Sequence, residues 1–103
     1  MIFHNNTIKC SVSNDKISSE ETPLIYHKNT KFLRVSFSKD WRGYNTVASF
    51  FLKNKEYAML IQNGRCQIPK EALESGYFRL SIIGLYRDGT RKETKKILAI
   101  KEG

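Results

Sequence analysis

The sequence is poor in the residues that carry chemistry. It holds two histidines, His4 and His27, and two cysteines, Cys10 and Cys66, in 103 residues. No Cys-x-x-Cys pair and no His-x-x-x-His spacing occurs, so the residues needed for a tetrahedral zinc set are missing. Serine and threonine are plentiful, yet none sits in a Gly-x-Ser-x-Gly elbow, and both histidines lie in the weakly patterned N-terminal third. Asp40 beside Arg42 reads as a solvated turn pair rather than as an acid catalyst. The expectation is a chain that is not an enzyme, with no catalytic residue, no metal and no cofactor.

Long hydrophobic runs are also missing. Val47 to Leu52 and Tyr57 to Ile61 are the longest, far short of the roughly twenty residues a membrane helix needs. The first six residues lack the basic start and apolar stretch of a signal peptide. A soluble protein made in the cytoplasm, with no membrane partner, is therefore expected. Cys10 and Cys66 each fall in phase with apolar neighbours, which reads as buried free thiols. A disulfide would require them on neighbouring strands with Cα atoms within about 7 Å.

What is present is β-patterning. A chain of 103 residues, 40% hydrophobic, suits one domain over residues 1–103, with one core that buries roughly two-thirds of the unfolded surface. Ile8, Cys10 and Val12 alternate inward over Thr7 to Val12, as do Leu33, Val35 and Phe37 over Lys31 to Phe37. Thr46–Leu52 and Glu56–Gln62 read as a hairpin about Lys53-Asn54-Lys55. Asn63-Gly64 is a tight-turn signal leading to a short strand, Arg65–Ile68. Pro69 opens one or two helical turns, with Gly76 placed to end them in the left-handed conformation. Tyr77–Tyr86 directs Phe78, Leu80 and Ile82 inward, and Arg91–Ile100 returns after Asp88-Gly89 with Leu98 and Ile100 in phase. Residues 13–30 read as a long polar loop with a short edge strand near Leu24–Tyr26. The count is about seven strands, with one helical turn before the penultimate strand: an all-β, immunoglobulin-like sandwich. Leu33, Val35, Phe37, Phe50, Leu80 and Ile82 are its expected core.

The order of these elements carries a resemblance. Phe37-Ser38-Lys39-Asp40-Trp41-Arg42-Gly43-Tyr44, then Thr46-Val47-Ala48-Ser49-Phe50-Phe51, then Cys66-Gln67-Ile68-Pro69 with Glu71-Ala72-Leu73, then Gly76-Tyr77-Phe78 and Ile83-Gly84, follow one another over about residues 30–100. This series resembles small immunoglobulin-like virion domains of tailed bacteriophages that infect Gram-positive bacteria, found in baseplate, tail-fibre and head-fibre proteins. The chain departs from that pattern at Lys70, where many such domains have tryptophan, and in being more basic. The resemblance implies a non-enzymatic structural or decoration protein in the virion, bound to a capsid, neck, baseplate or fibre protein.

Binding residues are sought in aromatics and charge. Trp41, the single tryptophan, stands with Arg42 and Tyr44 and reads either as a cover over one end of the sandwich or as a platform for a sugar ring or protein partner. The formal net charge is +8. Lys31, Arg34, Lys39, Arg42, Lys53 and Lys55 face only Asp40 in the middle segment, and Arg87, Arg91, Lys92, Lys95 and Lys96 crowd the last hairpin against Asp88 and Glu93. Such a surface suits an acidic protein or the phosphates of a nucleic acid, with Phe51 or Tyr57 to stack bases. Outward lysines also keep strand edges from pairing with other chains. Finally, Phe51, Ala58 and Leu60 fall on the side of their hairpin opposite Phe50, Met59 and Ile61. Either residues 13–30 cover that second apolar side or a partner does, in a homo-oligomer or against a virion neighbour. A host-directed inhibitor and a carbohydrate-binding module are the alternative readings.

Overall fold

The computed structural model describes residues 6–102, so His4 lies outside the described residues. Among these residues, ten strands form two facing sheets of an all-β sandwich. The smaller sheet has the order β2 (Lys16–Ser18), β1 (Thr7–Ser13), β4 (Phe32–Phe37) and β7 (Arg65–Gln67). The larger has the order β3 (Leu24–Tyr26), β10 (Ile97–Lys101), β8 (Tyr77–Leu85), β5 (Asn45–Leu52) and β6 (Lys55–Ile61), with β9 (Arg91–Glu93) also paired to β8. A 3-10 turn, Lys39–Trp41, joins β4 to β5 across the sandwich, and one helical turn, α1 (Lys70–Glu74), joins β7 to β8.

Period-two burial follows the alternation in the sequence. Ile8, Cys10 and Val12 of β1 and Leu33 and Val35 of β4 face Ala48 and Phe50 of β5 and Phe78, Leu80 and Ile82 of β8, and all are buried. Phe78 lies at the centre, its ring 5.4 Å from Phe50 edge-on and 4.9 Å from Tyr26. Tyr26 is fully buried, and its hydroxyl donates to the Ser75 carbonyl at 2.6 Å, which fastens β3 to the end of α1. Phe37 is the exception in the expected core. It ends β4 half-buried, because the strand runs out there into the 3-10 turn.

The strand count of about seven is corrected to ten for two local reasons. Residues 13–30 are not one loop: Asn14 takes a positive φ, Ile17 tucks inward, and Lys16–Ser18 returns as β2 against β1. The segment then changes sheets, and β3 pairs in parallel with β10. It supplies an edge strand to each sheet, and the outer face of the larger sheet keeps Leu60, Tyr77, Leu85 and Ile100 exposed. The final strand is also broken. Glu93 pairs with Ile83 and Ile97 with Leu80, so Ser81 and Ile82 face three residues, Thr94 to Lys96. The buried Thr94 fixes this bulge, its N–H donating to the Ile82 carbonyl and its hydroxyl accepting the Ile82 N–H.

One inserted residue reverses every side chain beyond it. Ala99 therefore points into the core and Ile100 points out, with Leu98 beside it on the outer side, opposite to the phase expected for Leu98 and Ile100. With the last strand divided, α1 precedes the third strand from the end rather than the penultimate one. Gly76 does not take the left-handed conformation; the helical turn ends on an extended Ser75, whose N–H donates to Ala72. Asn63 and Gly64 do, at φ 55° and 73°, and make the expected two-residue turn. The chain leaves that turn for the other sheet, where β7 pairs with β4.

Both cysteines are free and buried. Cys10 is on β1 and Cys66 on β7, with β4 between them, so their backbones lie roughly 10 Å apart at the usual strand spacing. That exceeds disulfide reach. Burial pushes both thiols up to about 12, Cys10 with a further contribution from Cys66. Folding thus favours the protonated thiols, a contribution present in full below pH 9 and lost as pH rises from 9 toward 12. The native protein is expected to leave a thiol reagent unconsumed at pH 8, and the protein unfolded in guanidinium to consume it at both cysteines. Rapid native labelling would contradict the burial.

Candidate functional site

The candidate residues separate into two places. Trp41, Tyr44 and Lys92 meet at one open end of the sandwich. The 3-10 turn carries Trp41 back over the core, where it is 3% exposed and its indole N–H donates to the Asn14 carbonyl at 2.9 Å. One face of the ring lies against Gly84: a Cβ built there would stand 2.7 Å from the ring. Phe37 and Tyr44 flank it at 5.6 and 5.9 Å between centroids, and Lys92 Nζ sits 4.7 Å from the Trp41 ring and 4.6 Å from that of Tyr44. The ring is a cover for the end of the core. It presents no open face to a sugar, and the shallow hollow beside it is lined by Ser38, Lys39, Arg42 and Asn63 as well as by the edges of the aromatics.

Asp40 organises this end. Its carboxylate accepts from the Asn14 N–H at 3.0 Å and from the Ser38 hydroxyl, and it lies 3.4 Å from Lys92 Nζ, which also donates to the Asp40 carbonyl. The Ser38 hydrogen bond, with Lys92 alongside, holds the carboxyl below the usual carboxylate range. Asp40 thus binds the β1–β2 turn and β9 to the 3-10 turn. Its ionic partner is Lys92, not Arg42, which is exposed. Arg87 extends over the Tyr86 ring at 5.8 Å, and Lys95 lies 3.9 Å from Asp15; both are exposed.

Phe51, Leu60 and Arg91 belong to the second place, the outer face of the larger sheet. Register puts Leu60 beside Val47 and Ile83, Phe51 beside Arg79 and Leu98, and Tyr77 beside Ile100. Among the described residues, the large hydrophobic residues that remain exposed are Leu60 (58%), Leu85 (52%), Tyr77 (45%) and Ile100 (37%), and all four point out of this one face. Charges of both signs lie on it and beside it: Arg79 stands between Phe51 and Leu98, Arg91 pairs with Glu93 at 3.1 Å, and Lys96 Nζ lies over the Phe51 ring at 4.1 Å. At its middle, the buried hydroxyls of Ser49 and Ser81 donate to Glu56 at 2.5 Å and Glu93 at 3.5 Å.

Tyr77, Leu85 and Ile100 belong to this face and were not singled out in the sequence. The odd-numbered positions of β8 carried a readable signal, since Tyr77, Ile83 and Leu85 alternate with the core set. Ile100 carried none, because the bulge that turns it outward has no sequence signature beyond Thr94. Among the described residues no three His, Cys, Asp or Glu side chains gather at one point, and no helix is long and apolar enough to cross a membrane. The chain matches no family model, no curated protein and no solved structure.

Proposed function

We propose that the chain is a non-enzymatic binding module, an immunoglobulin-like sandwich that docks the outer face of its larger sheet on a neighbouring protein in a phage virion. The observation that carries the docking surface is the gathering of Leu60, Tyr77, Leu85 and Ile100 on one sheet face. An antiparallel sheet can leave one face in water, but that face is then normally polar. Here the outward positions of β5, β6, β8 and β10 include Val47, Phe51, Ala58, Leu60, Ile83, Leu85 and Leu98. Exposed apolar side chains gathered on one face mark partner surfaces. Here they form two clusters, Leu60 with Leu85 and Tyr77 with Ile100, on either side of the row of Ser49 and Ser81 with Glu56 and Glu93, and charges of both signs beside apolar contacts match the anatomy of protein interfaces.

The immunoglobulin-like type is favoured by connections that pass repeatedly between two packed, mainly antiparallel sheets. The virion setting rests on the motif order from Phe37 to Gly84. Against the carbohydrate reading stands the burial of Trp41.

Replacing Leu60 and Leu85 together with aspartate tests the surface. Both side chains are more than half exposed, so the folded state is expected to persist with a melting midpoint within a few degrees of wild type. Incorporation into gradient-purified particles is expected to be lost. Equal incorporation of the double variant would remove this face from the assembly.

A further inference from the structure

We propose that the outer face of the smaller sheet binds nucleic acid through its phosphates. Lys9 on β1 pairs with Arg34 on β4, and Arg34 pairs with Arg65 on β7, so three exposed cations stand abreast on three adjacent strands. At the usual strand spacing the row is roughly 10 Å long. Lys16 adds a fourth cation at a corner of the same face, opposite Ser13. A shallow depression framed by Asn6 and Thr7 opens beside the row.

Like charges placed directly across a sheet destabilise it, and the nearest acidic side chains among the described residues of this margin, Glu20 and Glu21 after β2, share a hollow with Lys9 without forming an ion pair with it. None of the three forms an ion pair among the described residues, and β1, β2, β4 and β7 contain no aspartate or glutamate. The Arg65 guanidinium lies over the Phe32 ring at 4.1 Å. Protection of sheet edges does not account for the whole row: Lys9 lies beyond the residues of β1 that β2 pairs and Arg65 is on the edge strand β7, but Arg34 is flanked by β1 on one side and β7 on the other and guards no open edge. A binding role does account for it.

The chemistry of the remaining outward positions selects the partner. Thr7, Ser11, Ser18, Ser36 and Gln67 surround the row, and hydroxyls and amides beside Arg and Lys are the groups that contact phosphate and sugar. A protein partner calls instead for an aromatic, charge-depleted centre, and that character belongs to the opposite sheet. The strands of this sheet present no helix to a groove among the described residues, so the binding proposed is independent of sequence. It is also independent of the assembly reading, since the two faces lie on opposite sides of the core.

The test is fluorescence anisotropy with a labelled single-stranded 20-nucleotide oligomer between 50 and 200 mM salt. Replacing Lys9, Arg34 and Arg65 with glutamine is expected to weaken binding at least tenfold at 50 mM salt. It should also flatten the slope of log K against log salt by about 2, at roughly 0.7 per phosphate contact on a single strand. Lys53→Gln with Lys55→Gln and Arg87→Gln removes the same charge elsewhere and should change affinity less than threefold. Because the row repels itself, Arg34→Gln alone should melt at or above the wild-type midpoint while lowering the slope by about 0.7; this single variant carries the test if the triple variant does not fold. The proposal is overturned by equal weakening in the two triple variants, by no wild-type binding at 50 mM salt, or by polyglutamate displacing the oligomer more effectively than unlabelled oligomer.

Discussion

Phe50→Ala is expected to lower the unfolding free energy by about 3–5 kcal/mol in a urea titration, with the midpoint moving and the slope unchanged. The ring is fully buried on β5, beside Leu80 of β8 and Tyr57 of β6, with Phe78 packed edge-on at 5.4 Å. Hydrogen-bonded strands on both sides hold the backbone, so the walls cannot close over the space left by the ring. A domain of this size has about 5–15 kcal/mol in total, so the variant should sit near the edge of folding. Phe37→Ala should cost less, because Phe37 is half-buried at the strand end. A loss below about 1 kcal/mol for Phe50 would mean that the phase of β5 is wrong.

Trp41 and Gly84 are expected to be strongly non-additive. Trp41→Ala removes a ring that is 3% exposed, its hydrogen bond to Asn14 and the surface under Lys92, and should cost about 3–5 kcal/mol. Gly84→Ala places a Cβ 2.7 Å from Trp41 Cζ3 and 3.0 Å from Tyr44 Cδ2, both in packed rings, and should cost about 1–3 kcal/mol by overpacking. In the Trp41→Ala background the main obstruction is gone, and the glycine substitution should cost well under half as much. Chemical denaturation of the four proteins gives the coupling. Additive losses would mean that the indole does not rest on the Gly84 backbone.

How far the sequence revealed this arrangement depended on how local the cause was. Strands β1, β4, β5 and β8 were readable because Ile8, Cys10 and Val12, Leu33 and Val35, Ala48 and Phe50, and Phe78, Leu80 and Ile82 repeat at period two, and burial enforces that period. Asn63-Gly64 was readable because its turn type requires positive φ. The strand β2 was not, since its single buried residue, Ile17, sits between Lys16 and Ser18 and acquires meaning only once β1 lies beside it. Nor was the reversal at Ile97–Lys101, which depends on Thr94 bonding to Ile82, a contact between strands.

The candidate residues show the same division. Phe51 and Leu60 emerged from a hairpin apolar on both sides, whereas Tyr77 and Ile100 join them only through the pairing of β8 with β10. Trp41 and Lys92 were adjacent in interest but not in sequence, and the fold stacks them as an end cover. Lys9, Arg34 and Arg65 lie far apart along the chain, and only strand order and register bring them into one row.

The measurement that tests the proposed assembly role most directly is absolute quantification of the chain, by mass spectrometry, in gradient-purified particles of the phage to which that proposal assigns it. The account predicts a fixed copy number per particle, in constant proportion to a major structural protein across preparations. A chain abundant in infected cells yet absent from the particles would contradict it and favour a host-directed inhibitor.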